Sequence, residues 1–186
     1  MSLLQEPDPL VWGHGPALFE IFLEPTCPFS GRAFGKLDAL MQAAGEDRLT
    51  LRLWLHSQPW HMFSGVITRA VLAAAAGRGG KSDARHLMAM VFARQPEFEF
   101  EDHARGPNMD RTPRQILHSL EAISGLSLTE AFDARGLQKA IKAHTRYARQ
   151  NGIHVSPTFM VNGLVQAELG SGDDIGRWLG ALGLNG

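Results

Sequence analysis

The chain has 186 residues, 18 basic and 19 acidic side chains, and a net charge of -1. That length suits one domain of ordinary size or a smaller one carrying an insert, and so even a charge balance gives no electrostatic case for nucleic acid or an anionic membrane. No run approaches the ~18 apolar residues that a membrane span needs, and the single cysteine excludes an intramolecular disulfide. Residues Met1 to Pro9 lack both the basic and the apolar stretch of a signal peptide. Together with the lone cysteine, this gives the expectation of a reducing, cytoplasmic location.

In chain order, residues 1–16 carry three prolines and two glycines and read as an irregular lead-in. The apolar run Leu18-Phe19-Glu20-Ile21-Phe22-Leu23 predicts a buried strand over about 17–24. Thr26-Cys27-Pro28-Phe29-Ser30 follows and holds the cysteine. Beyond it, Ala33, Leu37, Leu40, Met41 and Ala44 share one helical face, and the helix is expected to end near Gly45. Pro28 suits a first helical position, where its missing N–H is no loss. Cys27 then falls at the N-cap, with unpaired amides and the positive end of the helix dipole aimed at its sulfur. Such surroundings favour the nucleophilic thiolate. The dipole alone supplies roughly 0.3–1 kcal/mol, so activation needs the amide hydrogen bonds as well. A lone cysteine also serves as a small buried hydrophobe, and from these residues both readings stand.

Leu49 to Leu55 alternate as a second strand, with Arg52 turned outward as at an edge or a half-exposed position. Strand, helix and strand over this length make a right-handed βαβ unit. Helical periodicity then takes over. Phe63, Val66, Ile67, Ala70, Val71 and Ala74 mark one helix, stopped by Gly77, Gly79 and Gly80. Ser82 is placed to cap another, with Ala84, Leu87, Met88 and Val91 inward. The acidic segment Pro96 to Asp102 fits a loop, a short helix or an extended piece. Thr112-Pro113-Arg114-Gln115 forms a capping box for a helix using Ile116, Leu117, Leu120 and Ile123. Ser127 to Glu130 offers a second such box. Leu137, Ala140, Ile141, His144 and Ala148 describe a longer helix, closed by Asn151-Gly152. Thr158–Val161 and Leu164–Gln166 flank Asn162-Gly163, a strong hairpin signal. A last helix is expected from Ser171, burying Ile175, Trp178, Leu179 and Leu182. Its Gly170-Ser171-Gly172 lead lacks the spacing of a dinucleotide loop.

Two motifs now stand far apart: the strand followed by Cys27-Pro28-Phe29-Ser30, and Val155-Ser156-Pro157-Thr158 at the start of the hairpin. With the helical block between them, they resemble the DsbA-like branch of the thioredoxin superfamily. The resemblance implies an α/β, thioredoxin-like fold with a helical insert. Residues 1–57 and 137–186 would form the thioredoxin-like domain and 58–136 the inserted subdomain. It further implies that Pro157 is cis and that Ser156 faces the Cys27 sulfur. Pro28, Phe29, Val155, Ser156 and Pro157 would hold an extended substrate, as in β-strand addition. Glu24 matches an acidic position common in this branch, and equally suits a solvated loop carboxylate.

The departures sharpen the expectation. The family's second cysteine is Ser30 here, so no internal thiol can resolve a mixed disulfide. The acid some relatives bury six positions before the cysteine is Ile21. The resemblance then implies a thiol–disulfide oxidoreductase with a single cysteine. Cys27 would attack a disulfide-containing or glutathionylated protein or peptide. Glutathione would be the co-substrate, with no bound cofactor. Ser30 would donate a hydrogen bond to the thiolate, or it is an ordinary first-turn serine. A related branch, the kappa-class glutathione transferases and 2-hydroxychromene-2-carboxylate isomerases, shares the layout and uses a serine near this helix start. A non-catalytic, peptide-binding thioredoxin-like protein is the third reading.

Eight histidines raise the question of metal. His56 and His61 follow the second strand, at the end where α/β sites collect, and either is placed to approach Cys27. Their spacing is not a helix-face pair and no third ligand stands out, so no metal site is expected. Met62, Met88, Met90, Phe63, Phe92 and Trp60 fit either a core or an adaptable apolar groove.

Overall fold

The computed structural model describes residues 10–99, 105–106 and 108–185. Its centre is a parallel pair, β2 (Ala17–Leu23) and β3 (Leu49–Leu55), in register from Ala17 opposite Leu49 to Leu23 opposite Leu55. The odd-numbered residues Phe19, Ile21, Leu23, Leu51, Leu53 and Leu55 pack into the main core. The even-numbered Phe22 and Trp54 belong to a second cluster on the opposite face. Strand β4 (Thr158–Val161) adds antiparallel to β2, and β5 (Leu164–Val165) adds to β4. Asn162 and Gly163 turn between them with φ of 48° and 83°, the left-handed pair that a two-residue hairpin requires.

The lead-in is not irregular throughout. Leu10–Gly13 form β1, antiparallel to β3, so the sheet order is β1-β3-β2-β4-β5. Leu10 is fully buried opposite Leu53, a pairing that the neighbouring prolines and glycines concealed. Strand β3 is therefore interior, and Arg52 marks no edge. Its guanidinium reaches Glu20 Oε1 at 3.5 Å. Glu20 is itself fully buried and accepts from Trp54 Nε1 at 2.9 Å and Tyr147 Oη at 3.1 Å. A run that reads as apolar thus hides a carboxylate with three donors.

The segment expected as one helix is two, α1 (Pro28–Phe34) and α2 (Leu37–Ala44). The break falls at Gly35-Lys36, where Lys36 Nζ donates to the carbonyls of Ser171 and Asp173 and lies over the Trp178 ring. The insert follows: α3 (Ser64–Ala76), α4 (Lys81–Ala93), a 3₁₀ turn at Gln95–Phe98, α5 (Pro113–Ser124) and α6 (Thr129–Asp133). That turn settles the start of the acidic segment, whose residues 100–102 lie outside the described ones. Its Phe98 is buried in the main core. Gly31 is where α1 meets α4, since a Cβ there would stand 2.9 Å from the Phe92 ring.

The Thr112 capping box forms as expected. Two other caps do not. Gly80, at φ 57°, precedes α4, which leaves Ser82 inside the first turn. The Ser127–Glu130 box is pre-empted by Glu121, whose Oε1 accepts from Leu128 N, Thr129 N and Thr129 Oγ1. The last helix, α8 (Ile175–Ala181), starts later than Ser171 because Asp174 is its cap, accepting from Arg177 N at 2.8 Å. No helix among the described residues is long and apolar enough to cross a membrane.

Helix α7 (Leu137–Gln150) covers the second face of the sheet. Tyr147 stacks on Trp54 with ring centroids 4.3 Å apart. His144 Nδ1 accepts from Leu55 N at 2.9 Å, and burial lowers its pKa to about 4. The folded state therefore resists a proton that the unfolded chain accepts near 6.5. Stability is complete above that value and falls as pH drops toward 4, by roughly 3 kcal/mol at full extent. Urea titrations from pH 7 to 4 should show this loss, and His144→Gln should be less stable at pH 7 yet lack that share of the acid dependence. An equal acid loss in the variant would assign it to other groups.

Candidate active site

The site is built on the turn that joins β2 to α1. His56 N donates to Leu23 O at 2.8 Å, carrying the β2–β3 ladder to its end. The chain then turns on Glu24. Its carbonyl accepts from Cys27 N at 3.1 Å, and its Oε2 accepts from both Thr26 N and Thr26 Oγ1 at 2.8 Å. Its own N–H donates to Ser30 Oγ at 3.1 Å. Cys27 follows as the N-cap, with φ -78° and ψ 124°, and Pro28 takes the first helical position. Both placements match the sequence expectation.

The Cys27 thiol donates to Ser156 O at 3.6 Å, across 129 residues of sequence. The Ser156–Pro157 peptide is cis. Cys27, Ser156 and Pro157 therefore come together as the resemblance implied. Cys27 is 5% exposed, and Ser30 and Glu24 are fully buried. Ser30 is thus no ordinary first-turn serine on the surface. Its oxygen accepts from Glu24 N, and that bond closes the turn. No side-chain hydrogen bond joins it to Cys27 among the described residues.

Glu24 is not a solvated loop carboxylate. Burial raises its pKa above the usual carboxylate range, against the opposing pull of the Ser64 and Thr26 hydroxyls and of His61. Its Oε1 has no hydrogen-bond partner among the described residues. His61 Nε2 stands 3.9 Å from Oε2 with its side chain partly exposed, so the imidazole lies between the buried acid and solvent. His56 is placed differently. Burial lowers its pKa first, with the charges of His154 and Arg149 adding to the effect.

Exposed apolar side chains stand on the segments that meet at this sunken thiol. Phe29, Trp60, Met62 and Val155 are each more than half exposed. Phe29 is two residues from Cys27, Val155 adjoins Ser156, and Trp60 and Met62 flank His61. The aromatic and methionine group singled out in the sequence therefore divides. Phe63 and Met88 are core, while Trp60 and Met62 are exposed. Among the described residues no three His, Cys, Asp or Glu side chains gather as metal ligands.

Two participants escaped the sequence. Thr26 supplies both donors that hold the Glu24 carboxylate. Gln95, from the 3₁₀ turn of the insert, donates to Thr26 O at 2.5 Å. Thr26 is adjacent to the cysteine and was open to notice as a hydroxyl two residues after a carboxylate. Gln95 lies 69 residues from Thr26 and carried no signal.

No family model matches the chain, and no curated protein matches it. Solved structures do. A Pseudomonas syringae protein, provisionally named a protein-disulfide isomerase, is 58% identical, with 96% of this chain and 99% of that one covered and a TM-score of 0.93. A protein-disulfide isomerase from Novosphingobium aromaticivorans shares the fold at 16% identity, TM-score 0.63, over 95% and 97% of the two chains. Pseudomonas aeruginosa DsbA2 does so at 16% identity, TM-score 0.59, over 88% and 86%. With the cis-proline loop facing a cysteine at a helix start, and a relative this similar over nearly its full length, the chain belongs to the DsbA-like proteins of the thioredoxin fold.

Proposed function

We propose that this protein is a thiol–disulfide oxidoreductase that works through Cys27 alone, with glutathione as the thiol that completes the cycle. The observation that carries this is the Cys27 sulfur 3.6 Å from Ser156 O, with a buried serine where a second thiol would stand. In the first step the Cys27 thiolate attacks one sulfur of a substrate disulfide. A Cys27–substrate disulfide forms, and the other substrate sulfur leaves as a thiolate that takes up a proton. With a glutathionylated substrate, attack at the glutathione sulfur frees the protein thiol and leaves glutathione on Cys27. A second glutathione thiolate then attacks that sulfur, giving glutathione disulfide and the free Cys27 thiolate. Where the substrate holds another thiol, its attack on the mixed disulfide yields an isomerised product instead.

The remaining residues have roles in this cycle. Phe29, Val155, Trp60 and Met62 offer an apolar seat for the chain around the substrate cysteine. The Val155 N–H makes no hydrogen bond among the described residues, which supports pairing with an extended segment. Glu24 and His61 form the accessory pair that handles the proton of the leaving thiol. The need for an external thiol fits a reducing compartment such as the cytoplasm. Ser30 is fully buried, which weighs against a serine that meets glutathione directly.

Treatment with glutathione disulfide should leave one glutathionyl group on the wild-type chain and none on Cys27→Ala, as read by intact mass. Glutathione should then release it with formation of glutathione disulfide. Glutathione turnover that persists in Cys27→Ala would point to the transferase class instead. Ser30→Cys should convert that adduct to an internal disulfide and leave no free thiol. It should also lower stability by about 1–2 kcal/mol, since Glu24 N would lose its oxygen acceptor. A stable adduct with one free thiol in this variant would rule out a shared geometry for the two positions. Glu24→Gln should slow exchange severalfold. Because the folded pKa of Glu24 is raised, wild type loses stability as pH climbs from the ordinary 4.5 through the folded value. Melting curves of Glu24→Gln should lack that loss, and an unchanged pH dependence would argue against a strained acid at this position.

A further inference from the structure

The peptide unit between Thr26 and Cys27 is held at both polar ends from different parts of the chain. Its N–H, on Cys27, donates to Glu24 O at 3.1 Å. Its carbonyl, on Thr26, accepts from Gln95 Nε2 at 2.5 Å. A peptide is planar, so fixing both ends fixes the orientation of the plane. Thr26 ψ and Cys27 φ are thereby set, and with them the direction of the Cys27 Cα–Cβ bond. The sulfur then falls where it is found, against Ser156 O. The local pin comes from the turn itself, and the distant one comes from the helical insert.

The distant pin is itself braced. A carboxamide has two N–H protons, and Gln95 directs its Nε2 at two acceptors, Thr26 O and Glu99 Oε1, the latter at 2.6 Å. Only the nitrogen end of the amide can serve both, which fixes its flip state. Behind it, the buried Asn108 donates from Nδ2 to Glu99 O at 2.7 Å and to Pro96 O at 3.4 Å. Arg111 Nη1 reaches Asn108 Oδ1 at 3.3 Å and Glu97 O at 3.4 Å. The buried Phe98 ring anchors the same turn in the core.

Building on the oxidoreductase reading, we propose that Gln95 is a positioning residue for Cys27, through which the helical insert sets the line of attack of the sulfur. Disulfide exchange demands approach along the S–S axis, past a substrate held against the cis-proline loop. Misplacement of a reacting atom by about 1 Å can slow such a reaction on the order of 100-fold. Alkylation by a small reagent has no bound partner to align with, and responds far less to the direction of the sulfur.

The test uses the full chain with Gln95→Met, which keeps length without a donor, and Gln95→Glu, which sets an acceptor against two acceptors. Three quantities are measured: hydrogen exchange of the Cys27 amide, Cys27 alkylation by iodoacetamide, and exchange with a cystine-containing peptide. In both variants the Cys27 amide should exchange about tenfold faster while the amides of the sheet keep their protection. Peptide-disulfide exchange should fall roughly tenfold and alkylation by less than about threefold. Adding Glu99→Ala to Gln95→Met should change nothing further, because both act through one amide. A parallel fall in both chemical rates, or an unchanged Cys27 amide, overturns the positioning role while leaving the oxidoreductase reading intact. A wild-type chain inert toward the peptide disulfide overturns the oxidoreductase reading, and the role in attack with it.

Discussion

A carboxylate with no access to water holds this site together. Glu24 sits where β2 stops and α1 has not yet begun, and three of its atoms make four hydrogen bonds within six residues of chain. Its N–H goes to Ser30, its carbonyl takes the Cys27 amide, and one side-chain oxygen takes two donors from Thr26. A strand-to-helix turn this tight leaves backbone groups that buried surroundings would otherwise strand. Satisfying them locally lets the cysteine stand at the helix start without a hydroxyl or carboxylate cap. The arrangement carries a penalty, since the second carboxylate oxygen has no hydrogen-bond partner among the described residues. A fold optimised for stability alone would avoid it. The same pattern, a strained titratable group beside a nucleophile, recurs at working sites.

The two faces of the sheet divide the labour. The odd-numbered face, packed with Phe19, Ile21, Leu51, Leu53 and Phe159, joins sheet and insert through one continuous apolar core. The other face is smaller and more polar, with Glu20, Trp54 and Tyr147 linked by hydrogen bonds and stacked rings. Apolar packing gives cohesion with little directional preference. Hydrogen-bonded carboxylates fix register and angle. Helix α7 carries both kinds of contact, and the loop bearing Ser156 begins where that helix ends. The position of the cis-proline loop against Cys27 is therefore set by the docking of α7 as much as by β4.

Much of this was legible in the sequence. The alternation in Leu49–Leu55, the Asn162-Gly163 turn and the Thr112 box encode local geometry in a few adjacent residues, and each appears as expected. Cys27 and Pro28 at the helix start are legible for the same reason. What escaped depends on distant partners. Leu10–Gly13 is a strand because β3 offers it an edge, not because of its own composition. Ser82 and the Ser127 box lost their capping roles to Gly80 and to Glu121, one helix earlier. Ser30 reads in the sequence as readily as an ordinary first-turn serine, because burial is a property of the assembled fold. Gln95 touches the site only after the insert has folded back on the turn. Spacing encodes contacts within an element and is silent about contacts between elements.

The order of the strands also bears on how the chain is made. Strand β2 lies at the middle of the sheet, yet its β4 neighbour comes from far along the chain, as the Leu18–Asn162 contact spans 144 residues. During synthesis from the N-terminus, β2 can pair with β3 early, and the helices of the insert can form on local contacts. The opposite edge of β2, with Phe19, Ile21 and Phe22, stays open until β4 has left the ribosome, well over a hundred residues later. An open apolar strand edge invites pairing with other chains. The long interruption by the insert thus turns the final hairpin into a late closing step, and nascent chains that stall before it present a sticky edge to quality control.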